Sequence, residues 1–190
     1  MSIFPTGQKI LPIEVSRVPM RYFYLFFVVF LLTACQFWGG EPQPPKELVE
    51  VQVQRVIRGD LLEVLLPKQN QRIRVRLHGV IAPDLAQKPW GQVARDRLGD
   101  FFRSDKQAQF WPVNVNQGTL EGYLWRDRTL VNAALVKAGA VLVDDSDSEA
   151  DTQYLQRLQQ QARILGQGIW NPQQPMRLTP QEFRRHSPHK

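Results

Sequence analysis

One cysteine, Cys35, stands in 190 residues, so no disulfide can form within these residues and a folded domain must be held by its apolar core. Histidine is nearly as scarce. His78 stands alone in mid-chain and His186 and His189 share the tail, none with metal-ligand spacing. No lysine or arginine occurs between Lys106 and Arg126, which removes any cationic anchor for an anion from that stretch. No internal repeat is present, and the longest apolar run, Tyr22 to Leu32, is too short to span a bilayer comfortably. What is there in quantity is hydrophobic residues, 43% of the chain, in alternating and helical patterns that suffice for one domain with a real core.

The apolar run follows Arg21 and ends in the small residues Thr33 and Ala34, the layout of a signal-peptide core. Leu32-Thr-Ala-Cys35 resembles a bacterial lipobox, which implies a diacylated Cys35 at the mature N-terminus and a bilayer as partner. Met20, after a long polar start, is a candidate initiator. Residues 1–34 are thus expected to be a lipoprotein signal peptide, and 35–46 a lipidated cysteine with a proline-rich tether able to reach about 25 Å. Gln36 after the cysteine resembles lipoproteins sent to an outer membrane, so the expected location is extracytoplasmic, on a periplasmic or outer-membrane face. Residues 1–34 carry three cations and one anion, so their removal lowers the formal charge from +6 to +4. That excess permits polyanion binding without demanding it.

Val49, Val51 and Val53 alternate with polar residues as in a half-buried strand. Arg58-Gly59 turns the chain into Leu61 to Leu66, with Gly59 expected to supply a positive φ. The Arg-Gly-Asp tripeptide here also matches an adhesion motif, a three-residue coincidence. Gln71 to Val80 forms a third strand with Ile73, Val75 and Leu77 on one face and Arg72, Arg74 and Arg76 on the other; pairing of Arg72 and Arg74 with Glu50 or Glu63 is the simplest use of that face. Pro89-Trp-Gly91 opens a helix with a core stripe of Ala94, Leu98, Phe101 and Phe102. Strands over Ala108 to Val115 and Leu120 to Trp125 follow, then helices over Leu130 to Ala138 and around Tyr154 to Leu165, the latter with a solvated glutamine face. Thr179-Pro-Gln-Glu182 is a capping box that predicts a short helix in the basic tail, 172–190. Asn132 is expected to satisfy buried backbone groups, and Trp90, Trp111, Trp125 and Trp170 to pack in the core or its rim. The pattern predicts an α+β domain over 47–171: a five-stranded OB-fold barrel, one helix between strands 3 and 4 and further helices after strand 5.

Gly59-Asp60, Arg76-Leu-x-Gly-x-x-Ala-Pro-Asp84, Pro89-Trp-Gly91, Leu130-Val-Asn132 and Gly168-Ile-Trp170, in this order and spacing, resemble the thermonuclease family of staphylococcal-nuclease-like phosphodiesterases. The resemblance implies nucleic-acid phosphodiester hydrolysis aided by Ca²⁺. Two aspartates and a backbone carbonyl hold the ion, a glutamate assists water, and two arginines bind the phosphate oxygens. Asp60 takes the place of the first metal-binding aspartate and Arg76 that of the first phosphate arginine. Asp84 stands at the glutamate position, one methylene shorter. Ile81 replaces the second metal aspartate, with Ala82 after it. Arg58 replaces an acid of the family's turn, and Thr119 in Val115-Asn-Gln-Gly-Thr119 replaces the second arginine. Arg126 and Arg128 fit a solvated hairpin better than a replacement for it.

A weak metal site and a slowed enzyme are the expected consequences. The favoured expectation is an anchored thermonuclease-like domain with attenuated or lost hydrolysis and a phosphate- or polyanion-binding pocket built on Arg76 with Arg58, open to single-stranded DNA or RNA. The alternatives are an active extracytoplasmic nuclease using Asp60, Asp84 and Arg76, and a protein-interaction scaffold.

Overall fold

Alternation of apolar and polar residues along five segments builds a closed sheet. The computed structural model describes residues 45, 47–116, 118–144 and 150–187. The signal segment, Cys35 and all of the tether but Pro45 lie outside the described residues. Strands β1 (Val49–Arg58), β2 (Leu61–Leu66), β3 (Gln71–Leu77), β5 (Gln107–Asn116) and β6 (Thr119–Arg126) pair in the order β3-β2-β1-β5-β6, and a parallel β3–β6 ladder closes the barrel. The other ladders among these five strands are antiparallel. Two-residue β4 (Val80–Ile81) pairs with β8 (Leu142–Val143), and β7 (Thr129–Leu130) extends β6.

Inward side chains Val51, Leu62, Val64, Val75, Phe110 and Leu124 are almost wholly buried. Helix α1 (Trp90–Asp100), between β3 and β5 in the sheet connectivity, buries Ala94 and Leu98 against β1. Phe102 completes its stripe inside the core and Phe101 is half-buried. Helix α2 (Val131–Lys137) packs on β6 and on α3 (Ala150–Ile164), and a short 3₁₀ turn covers Gly168–Trp170. Helix α4 (Pro180–His186) carries the capping box read from the sequence: Thr179 Oγ1 accepts from the Glu182 N–H at 3.2 Å, and Glu182 accepts from the Thr179 N–H at 2.8 Å.

Three expectations are corrected. Gly59 does not have a positive φ; it is glycine because α1 lies against it, and a Cβ there would meet Ala94 Cβ at 2.6 Å and Ala82 Cβ at 3.0 Å. The third strand ends at Leu77 rather than Val80, because Gly79, at φ 70°, turns the chain so that Val80 and Ile81 pair with β8 instead. Among the described residues Glu63 pairs with Arg55 at 3.6 Å rather than with Arg74, its neighbour in the β2–β3 register, so Arg74 and Arg72 remain on an exposed face.

Other expectations hold. Asn132 is fully buried and bonds three backbone groups: its Oδ1 accepts from Leu124 N–H at 3.0 Å, and its Nδ2 donates to His78 O at 2.9 Å and Gly122 O at 3.4 Å. Trp125 is core, Trp90 and Trp170 are half-buried, and Trp111 stacks on Tyr123 at the surface with centroids 5.7 Å apart. On α3 most glutamines are solvated, but Gln159 accepts from the Val143 N–H at 2.9 Å and ties the helix to β8. Gly59→Ala should destabilise the fold by about 1–3 kcal/mol, since Ala94 has no rotamer to yield and α1 must retreat. Val115→Ala, at a position 73% exposed, should stay within about 0.5 kcal/mol; a denaturant titration of both variants checks the two values.

Candidate functional site

The β1–β2 turn delivers Arg58 and Asp60 to one end of the barrel. An irregularity in the β1–β2 register between Val56 and Arg58 interrupts the strand alternation just before this delivery. The β2–β3 register sets Arg76 beside Leu61, and the parallel β3–β6 register sets Glu121 beside Arg76. Ile81 of β4, Asp144 just after β8, and Gln181 and Arg184 of α4 complete the walls of a cavity of about 350 Å³. His78 also lines it and packs edge-on against Tyr123 with ring centroids 5.3 Å apart.

Asp60 is 2% exposed and would be costly to bury as a lone carboxylate. Arg58 satisfies it with a two-pronged contact, Nε donating to Oδ1 at 2.5 Å and Nη2 to Oδ2 at 3.1 Å. The Ala82 N–H adds a third bond to Oδ2 at 3.2 Å. Both oxygens of the carboxylate are therefore engaged by protein donors. Arg76 is held far more loosely: its Nε lies 3.7 Å from Glu121 Oε1, beyond hydrogen-bond length, and its side chain is 46% exposed.

The cavity brings together Asp60, Arg76, Arg58 and Ile81 as the sequence reading grouped them, and leaves two of its residues outside. Asp84 does not line it; its Oδ1 accepts from the Ala86 N–H at 2.9 Å and closes a turn, while its own N–H donates to Gln87 Oε1 at 3.1 Å. Thr119 sits two residues before Glu121 on β6, beside Arg74, and does not line the cavity either. Arg126 is turned elsewhere, paired with Asp105 at 3.0 Å.

Sequence reasoning missed Glu121, Asp144, Gln181 and Arg184. Glu121 was within reach of a register argument, since it follows from pairing β3 with β6, whereas Asp144 depends on two-residue strands that carry no pattern. Three carboxylates border the cavity, yet among the described residues no three His, Cys, Asp or Glu side chains converge as a metal cluster.

Helix α4 is fastened to the barrel at its start. Gln87, itself buried, donates from Nε2 to Leu178 O at 2.9 Å, and Pro180 is buried. The hydrogen bond from the Thr179 backbone holds the Glu182 carboxyl below the usual carboxylate range, so the cap is intact near neutral pH and is lost as pH falls through that lowered value.

Removing Arg58 would leave Asp60 buried without its counter-charge. Arg58→Ala should cost about 3–5 kcal/mol of stability, whereas Arg76→Ala, on a half-exposed and loosely held side chain, should cost no more than about 1 kcal/mol; chemical denaturation separates the two.

Residues 74–172 match the family described as Staphylococcal nuclease homologue. The chain is also 32% identical over 146 residues to "Protein ParB" of Escherichia coli, covering 72% of this chain and 79% of that protein. The closed five-stranded barrel with its helices is in keeping with the family match: the chain belongs to the staphylococcal nuclease homologue family.

Proposed function

We propose that this chain is a membrane-anchored member of its nuclease family whose cavity binds the phosphates of single-stranded nucleic acid while hydrolysis is attenuated. The observation that carries the reading is the double engagement of Asp60 by Arg58. Family members are generally Ca²⁺-dependent, and Ca²⁺ draws its affinity from six to eight oxygens, several of them anionic. Here the residues do not fit the ion. Asp60 has both oxygens occupied, Ile81 offers hydrocarbon at the second aspartate position, and Arg58 contributes a fixed positive charge beside the carboxylate. With Arg58 spent on Asp60, Arg76 is left to meet a phosphate at this end of the barrel.

Arg76, half-exposed and only loosely paired, is the side chain best placed to take a phosphate oxygen. Asp84, engaged in its own turn, is poorly placed to assist water, and Thr119 brings no cation. Loss of one preorganised donor costs on the order of 10² to 10³ in rate, and such losses need not multiply. Anchoring through acylated Cys35 and an extracytoplasmic location rest on Leu32-Thr-Ala-Cys35 and the apolar run before it.

The full-length chain in detergent should bind single-stranded DNA with an affinity that falls as salt rises, and should cleave it slowly or not at all in millimolar Ca²⁺. Arg76→Ala should weaken binding about tenfold. Glu121→Gln should strengthen it by about two- to fivefold, by releasing Arg76 from its carboxylate neighbour. Rapid, chelator-sensitive cleavage abolished by Arg76→Ala would establish the active-nuclease alternative instead. Absence of any DNA binding would favour a protein scaffold. Washing membranes with chelator should leave the chain in the membrane fraction, whereas a chain lacking residues 1–35 should partition into the soluble fraction.

A further inference from the structure

We propose that Arg184, carried in by α4, is the second phosphate-binding guanidinium of the cavity, filling the role that Thr119 leaves vacant. This rests on the phosphate-binding reading of the cavity given above. The first support is position: Arg184 lines the same cavity as Arg58 and Arg76, although it lies more than a hundred residues further along the chain. The second is availability. Arg58 is committed to Asp60 and Arg126 to Asp105, but the Arg184 side chain makes no hydrogen bond or ion pair with a described residue, though the residue is half-buried. A guanidinium that lines the cavity with its donors uncommitted is free to fork onto the oxygens of an incoming phosphate.

The third support is that α4 is built to stay in place. The bond from Gln87 to Leu178 O and the buried Pro180 hold its start against the loop after β4, and the capping box closes its first turn, so Arg184 is carried on a capped helix. The helix also lies beyond residues 74–172, the span that matches the family, so it is an addition to the matched span rather than part of it. Glu121 and Asp144 in the same walls oppose an anion; two guanidiniums acting on one phosphate group are what offsets them. Arg185, next in sequence but exposed and outside the cavity lining, has the same charge without the same position.

The test uses the full-length chain in detergent and fluorescent oligothymidylate as the probe, titrated across salt concentrations. Arg184→Ala should weaken binding about tenfold and reduce the steepness of log K against log salt by about 0.7, the loss of one single-strand phosphate contact. Arg184→Lys should keep most of that slope with intermediate affinity, because charge is retained and the fork is lost. Arg185→Ala removes the same net charge and should leave both quantities nearly unchanged. Equal weakening by Arg184→Ala and Arg185→Ala would overturn the proposal in favour of a diffuse charge effect. Tighter binding by Arg184→Ala would overturn it by marking α4 as a plug. If Arg76→Ala weakens binding and Arg184→Ala does not, the role of Arg184 falls while the cavity reading stands; if neither does, both fall. Thermal denaturation of each variant guards the comparison, and Arg184→Ala should melt with the unmutated chain because no described partner is lost.

Discussion

The buried pair of Arg58 and Asp60 is the constraint around which this end of the barrel is arranged. A carboxylate that is 2% exposed must be neutralised, and the residue that does so comes from two positions earlier in the same turn. Gly59 between them leaves room for α1, and the Ala82 N–H after β4 completes the carboxylate's bonding. One turn therefore ties three parts of the fold together: the first hairpin, the segment that follows the third strand, and the helix that packs across both. The oxygens of the acid are directed at a guanidinium.

The pair is made within one turn and leaves the closed barrel intact. A guanidinium is always charged and brings its donors in a fixed fork, which matches the two oxygens of the carboxylate. A divalent ion polarises a bound phosphate and can activate water; an arginine binds the phosphate and does neither with comparable strength. Arg58, Asp60, Arg76, Glu121, Asp144 and Arg184 all line the one cavity at this end of the barrel. Around it the charges are balanced closely, with Arg76 and Arg184 set against Glu121 and Asp144, so binding there depends on position as much as on net charge.

Packing accounts for several residues of the sequence motifs. Gly91 in Pro89-Trp-Gly91 has no room for a side chain, since a Cβ would lie 1.9 Å from Asp84 O. Asn132 in Leu130-Val-Asn132 satisfies three buried backbone groups. Gly168 in Gly168-Ile-Trp170 rests against Gly139, whose carbonyl accepts from the Ile169 N–H at 2.9 Å. These motifs hold the barrel to its helices, and they report the fold rather than the state of the active site. Asp60 and Ile81 line the cavity, and Thr119 lies outside it.

Strand alternation in β1 to β3, the core stripe of α1 and the capping box of α4 were legible in the sequence because each is a local periodicity or a local hydrogen-bond pattern. Family spacing likewise placed Asp60, Arg76 and Ile81 together before any contact was known. What sequence could not decide is which side chains meet across the chain. Whether Gly59 serves torsion or clearance depends on a helix more than thirty residues away, and Glu121 enters the site through the register of a parallel ladder. Arg184 reaches it only because Gln87 and Pro180 fasten a tail helix onto the barrel. Periodicity and capping are written in neighbouring residues, whereas the pairing of distant charges is settled by closure of the barrel and by the packing of the helices upon it.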